Sequence, residues 1–275
     1  MMASRDERLP PTLTRPFASG GQDYARYRPG YPRVLAERLA GLSPGRRHAL
    51  DVGCGTGQLA VVLAERFERV TGIEPSADQR NHAVAHSRVE YHSGFAEDLT
   101  PIFGKPPADL VVAAQAAHWF DRPRFYERAR AVAQPNALIA LICYGVLAIA
   151  GPAGARLHQF YADELAPYWS PARRLVETGY AGIDFPFAEV TFEPLAIETR
   201  WTLPQLLGYL ETWSAVREAR TAGAAEMVER SRTELAALWG DPRHACKVHW
   251  PIYGRVGRIR PTQRGSSQPR PPVSR

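Results

Sequence analysis

The chain has 275 residues, of which 45% are hydrophobic, 23% charged and 10% aromatic, a globular composition that excludes a wholly disordered chain, a collagen and a disulfide scaffold. Its three cysteines, Cys54, Cys143 and Cys246, form no disulfide framework and fit a reducing, cytoplasmic setting. The net charge of +6 equals that of the last stretch alone, where positions 255–275 hold six arginines and no acid, so the folded part is neutral overall and speaks against a nucleic-acid-binding face.

Residues 1–16 are polar and read as a loose arm, without the apolar stretch of a secretory signal. Positions 17–32 are aromatic and basic, and Pro32 suits the first turn of a helix over 33–42. His48 to Val52 reads as a strand, followed by Gly53-Cys-Gly-Thr-Gly57 and a helical pattern over 59–67. A second strand, 69–73, ends at Glu74. Ser76 then caps a helix expected through Arg88, with Gln79 in the reciprocal capping-box position. Strands follow at 89–91 and 108–113, then a helix at 123–134. Positions 137–143 form a fifth strand, apolar throughout, as a central parallel strand buried on both faces should be. The longest apolar run, 137–151, is too short to span a bilayer.

Strands alternating with helices predict a doubly wound α/β fold with a mostly parallel, Rossmann-like sheet. Two further alternating stretches, 189–201 and 248–259, would complete it at seven strands. The aromatic, helical stretches at 154–178 and 203–240 would cover its carboxyl end, where open α/β sheets bind ligands. The expected division is an arm over 1–16, one domain over 17–259 with cap insertions at about 152–188 and 203–245, and a disordered basic tail over 260–275.

The chemistry concentrates at Asp51-Val-Gly53-Cys-Gly55-Thr-Gly57, between a strand and a helix. Glycines permit a tight turn and a close backbone approach to a ligand, and the helix behind them offers free N–H groups. Glu74 lies 17 residues past Gly57, where a carboxylate can accept from both hydroxyls of an adenosine ribose. Two ligand classes use this arrangement. Dinucleotide enzymes favour G-x-G-x-x-G/A, and Gln58 breaks that pattern. Asp51 is unwelcome beside a pyrophosphate but suits a ligand carrying an ammonium, so opposite charge favours S-adenosylmethionine over NAD.

These segments carry a resemblance. Residues 51–57, Gly72-Ile-Glu74-Pro-Ser76 and 109–120 resemble the class I S-adenosylmethionine-dependent methyltransferases, type 11 branch. Tyr24-Ala-Arg-Tyr27-Arg28-Pro-Gly-Tyr31-Pro32, Gln115-Ala-Ala-His118-Trp119-Phe120, Thr212-Trp213-Ser214 and Trp250-Pro-Ile-Tyr253 are similar to the trans-aconitate methyltransferase-like group. The likeness spans about 17–259. It implies an enzyme that moves a methyl group from S-adenosylmethionine to a small molecule, on a carboxylate or hydroxyl oxygen. It implies Gly53 and Gly55 along the methionine part of the cofactor, Asp51 near its amino group and Glu74 on its ribose. Gly57, Pro75 and Gln115 complete the implied cofactor shell. Relatives usually carry an acid where this chain has Phe95, which leaves the Ala96 backbone, and less so Glu97, for the adenine.

Tyr24, Tyr27 and Arg28 are expected to form a lid over the cofactor carboxylate or an acidic substrate, because arginine binds carboxylates bidentately. Trp119, Tyr27, Trp213 and Ser214 are the substrate-facing candidates. His118 is the candidate general base for a phenol or hydroxyl acceptor, whereas a carboxylate needs none. No histidine or cysteine spacing suits a metal. Two other readings stay open. One is a methyltransferase-like protein that binds cofactor without catalysis, kept alive by Phe95. The other is a nicotinamide-dependent oxidoreductase, disfavoured by Gln58. The expected partner is a small molecule, with neither nucleic acid nor membrane involved.

Overall fold

Strands that are apolar along their whole length need cover on both faces, and the arrangement of the chain follows from that need. The computed structural model describes residues 21–259, apart from Ile102, Gly104 and the side chains of Gly21 and Tyr24. The arm expected over 1–16, the tail expected over 260–275 and the side chain of Tyr24 lie outside the described residues.

The strands are β1 (His48–Val52), β2 (Arg69–Ile73), β3 (Val89–His92), β4 (Ala108–Ala114), β5 (Ala133–Tyr144), β6 (Ala148–Ile149), β7 (Ala188–Glu189), β8 (Leu195–Trp201) and β9 (Cys246–Arg258). The first five run parallel in the order β3-β2-β1-β4-β5. The last, β9, lies antiparallel to β5, with Leu138 opposite Arg258 and Tyr144 opposite Ile252. Along its other half it pairs with β8, also antiparallel. The expected seven strands are present, except that the one expected over 189–201 begins only at Leu195, and the sheet of the described residues has nine. The thirteen residues of β9 outrun β5 at one end and β8 at the other, and the short β6 and β7 pair with the ladder positions left over.

Alternation along β5 divides the core. Leu138, Ala140 and Ile142 face one apolar layer, with Leu35, Leu39, Leu63 and the cap. Ile139, Leu141 and Cys143 face the other, with Phe125, Val132 and Tyr180. The helices supplying these layers are α1 (Gly21–Tyr27), α2 (Arg33–Leu42), α3 (Gln58–Leu63), α4 (Ala77–Asn81), α5 (Arg122–Val132), α6 (Pro152–Gln159), α7 (Arg173–Glu177), α8 (Leu203–Glu211), α9 (Ser214–Thr221) and α10 (Ala225–Trp239).

One helical expectation is corrected and two are resolved into parts. The helix expected from Ser76 to Arg88 stops at Asn81, because the Val84 N–H donates to the Thr56 carbonyl at 3.0 Å and draws the chain back to the glycine loop. Ser76 does cap it, accepting from the Gln79 N–H at 3.3 Å, but Gln79 turns its buried side chain towards Gly55. The stretch 154–178 is not one helix: α6 passes into a π turn at Phe160–Glu164 and a tight turn at Ala166–Tyr168 before α7, and Pro167 and Pro171 cannot continue a helix. The stretch 203–240 is three helices, with Gly223 at φ +87° ending the second as a left-handed terminus does. No helix among the described residues is long and apolar enough to cross a membrane.

Candidate functional site

At the carboxyl ends of the parallel strands lies a cavity of about 620 Å³. The loop after β1 forms its floor. Gly53, Gly55 and Gly57 have φ of +70°, +57° and +83°, all in the left-handed region that side chains resist. A Cβ at Gly53 would stand 2.6 Å from the Ala116 Cβ, and its N–H donates to the Ile73 carbonyl at 2.7 Å. The loop is thereby tied to the end of β2, with its backbone open to the cavity. Cys54 is buried within it, and burial raises its thiol pKa well above the ordinary value, so it is no nucleophile.

Two buried carboxylates face this floor. Glu74 is held through both oxygens: Oε2 accepts from the Gly55 N–H at 3.1 Å and Oε1 from the Ser76 N–H at 2.9 Å. Each oxygen keeps a lone pair for a ligand hydroxyl. Burial raises its pKa, opposed by those two amides. Asp51 differs. It is 1% exposed and has no ion-pair partner among the described residues; the Ala60 backbone N–H approaches it and favours its charge, without completing a hydrogen bond of good geometry. Burial first, and the Glu74 charge second, raise its pKa to about 7. A buried acid compensated by no more than one amide is costly, and a cationic ligand group would reduce that cost.

The ends of β3, β4 and β5 form the walls. Phe95 and the buried Ala96 follow β3. Glu97 Oε1 accepts from the Asp121 N–H at 2.7 Å, and burial raises its pKa. Gln115 follows β4 at φ +55°, with its amide nitrogen donating to the Tyr144 carbonyl at 2.8 Å. Arg28 donates to the Tyr144 hydroxyl and to the Thr212 carbonyl, both at 3.1 Å. One side chain thus joins the segment after α1, the end of β5 and the cap. Among the described residues no group of three or more His, Cys, Asp or Glu gathers to hold a metal.

A sequence model of the methyltransferase domain matches residues 50–141. A solved structure from Anaeromyxobacter dehalogenans, described as a candidate type II methyltransferase, is 44% identical, with a TM-score of 0.77 over 86% of this chain and 99% of that one. The chain belongs to the class I S-adenosylmethionine-dependent methyltransferases. A candidate methyltransferase of Dictyostelium discoideum is 29% identical over 86% of this chain and 92% of its own. A Saccharomyces cerevisiae protein named as an S-adenosylmethionine-dependent methyltransferase is 28% identical over 44% of each.

The cavity of the methyltransferase brings together Asp51, Gly53, Gly55, Glu74 and Pro75 with Ala96, Glu97, Gln115, Trp119 and Arg28. Five expected residues stand elsewhere. Gly57 lies beneath the loop, where any side chain would run into the Tyr91 ring. Tyr27 packs over Gly208 and lines a separate groove with Trp201. Trp213 is 4% exposed, because it is enclosed by the rings of Phe160, Tyr161, Trp169 and Tyr209, and Ser214 beside it begins α9. His118 turns away from the cavity: its Nδ1 is 2.9 Å from the Tyr180 hydroxyl. Burial, then the nearby Arg173 and Arg122, lower its pKa to about 3, so it is neutral at pH 7 and a weak base.

The structure adds Tyr31, Phe120, Gln79 and Tyr144 to the cavity wall. Tyr144 had a legible signal, since it closes β5 as Glu74 follows β2.

Proposed function

We propose that the enzyme transfers the methyl group to an oxygen of a small acceptor, with a carboxylate favoured over a hydroxyl, and that the acceptor enters beside Gln115, Trp119 and Tyr144. The buried Asp51 carboxylate, which has no cationic partner among the described residues, carries the cofactor assignment. It pairs with the ammonium of the methionine part, while the Gly53 and Gly55 backbones lie along that part and Glu74 accepts from the ribose hydroxyls. When bound, S-adenosylmethionine supplies an electrophilic methyl group on its sulfonium. Pro75, Phe95 and Ala96 flank the adenine with apolar surface, and Glu97 orders the wall through the Asp121 amide.

The size of the acceptor follows from volume. A cavity of about 620 Å³ is of the order that holds one drug-sized ligand, which leaves room for only a small second molecule. The acceptor chemistry follows from the side chains present. Trp119, Phe120 and Tyr144 exclude water and align the acceptor, which is most of what methyl transfer asks of a protein. His118 faces Tyr180 rather than the cavity. A carboxylate acceptor needs no base at pH 7, whereas a hydroxyl benefits from one. The free thiols Cys54, Cys143 and Cys246 support a cytoplasmic site of action.

The test is incubation with methyl-labelled S-adenosylmethionine and two panels, small carboxylic acids and phenols. Labelled methyl esters are the expected products. Labelled phenol ethers alone would contradict the carboxylate assignment.

A further inference from the structure

Outside the lining of the cavity stands a further arginine. Arg173 opens α7, which packs against the turn Ala117–Trp119. Its Nε donates to the Tyr161 hydroxyl at 2.9 Å. Its guanidinium carbon lies 5.6 Å from the Tyr161 ring centroid and 5.2 Å from that of Trp169. Trp169 is itself fixed by a bond from Nε1 to the Tyr161 carbonyl at 3.1 Å, and Tyr161 by one to Glu177 at 2.6 Å. The guanidinium is therefore held in place through one nitrogen and two rings. Its two terminal nitrogens make no hydrogen bond or ion pair among the described residues. Arg122, at the start of α5, likewise has no acidic partner there.

After burial, the charges of Arg173 and Arg122 also lower the His118 pKa. The His118 ring is 4.9 Å from Trp119, and Trp119 lines the cofactor cavity. His118, Trp119, Arg122, Trp169 and Arg173 are all half-buried, and Trp119, which lines the cavity, stands between it and the patch. An arginine aligned by stacking, with its forked face unspent, suits a planar oxyanion. Arg28 is less suited, because it already bridges Tyr144 and Thr212.

We propose that Arg173 forms an anion subsite beside Trp119 that anchors a carboxylate of the methyl acceptor. This rests on the small-acceptor reading above and names the residue that selects the acceptor.

The test is calorimetric titration of the S-adenosylhomocysteine complex with succinate, glutarate and benzoate, each against its amide. At least one carboxylate is expected to bind and its amide not. Arg173→Gln should weaken that binding by about tenfold or more, the loss expected for a charged hydrogen bond, and Arg173→Lys should restore part of it. Affinity for S-adenosylhomocysteine should stay the same in both variants, which also reports that they fold. Carboxylates that bind Arg173→Gln as well as the parent, or that fail to bind while S-adenosylhomocysteine binds, would overturn the subsite alone. Failure of S-adenosylhomocysteine to bind would overturn the cofactor site, and the subsite with it.

Discussion

Around the glycine loop, backbone groups hold the polar side chains, whereas in the cap aromatic rings hold one another. Glu74 is fixed by two backbone amides, and Gly53 and Gln115 are tied by backbone bonds to the ends of β2 and β5. Trp213 instead rests among four rings. The first kind of construction depends on φ values that few residues adopt, so one added methyl group should damage ligand binding. The second depends on apolar volume, so losing a ring should reduce stability and leave the cofactor site largely as it was.

Gly53→Ala should break the comparison hardest. The new methyl group would stand 2.6 Å from the Ala116 Cβ at a residue with φ +70°. Strain and overpacking together should cost about 2–6 kcal/mol of stability. Binding of S-adenosylhomocysteine should fall with it, as read by thermal melts and calorimetry. Trp213→Ala should cost about 3–5 kcal/mol in a denaturant titration, the usual range for a buried large aromatic. Here the affinity for S-adenosylhomocysteine should hold, and an affinity that collapsed would place Trp213 in the site after all.

Asp51 sharpens the contrast through pH. Its pKa is about 7 in the folded protein against 3.8 as the ordinary value. Over the interval between them the folded chain keeps a proton that the unfolded chain has released. The stability of the ligand-free protein should therefore fall as pH rises from about 4 to about 7. Affinity for S-adenosylhomocysteine should run the opposite way, rising through about pH 7, because its ammonium needs the ionised acid. Asp51→Asn should flatten both profiles, as melts and calorimetry across that range would report. The smallest effect belongs to His118→Gln. Losing the bond to Tyr180 should cost about 1 kcal/mol, with methyl transfer to a carboxylate changed little.

The legible parts of the sequence were those where one residue type answers one physical demand. Three glycines between a strand and a helix, an acid before them and an acid after the next strand marked the end of the sheet that holds the cavity. The apolar run of β5 marked the centre of the sheet. What stayed hidden depends on contacts between distant segments. Nothing local in Gln115 announces φ +55°; it follows from the bond between its N–H and the Ile142 carbonyl at 2.8 Å. The side to which His118 turns is decided by Tyr180, 62 positions later. Gly57 looked like a ligand contact, yet the constraint on it is the Tyr91 ring below. In the cap, aromatic residues at helical spacing read equally well as core or as binding surface, and only the ring packing around Trp213 separated the two.

The most direct test of the cofactor site is calorimetric titration of the protein and its Glu74→Gln variant with S-adenosylhomocysteine, with NAD run in parallel. S-adenosylhomocysteine is expected to bind the parent, Glu74→Gln to weaken that binding by about tenfold or more, and NAD not to bind. Binding of NAD in place of S-adenosylhomocysteine, or equal binding by Glu74→Gln, would contradict the assignment of the cavity.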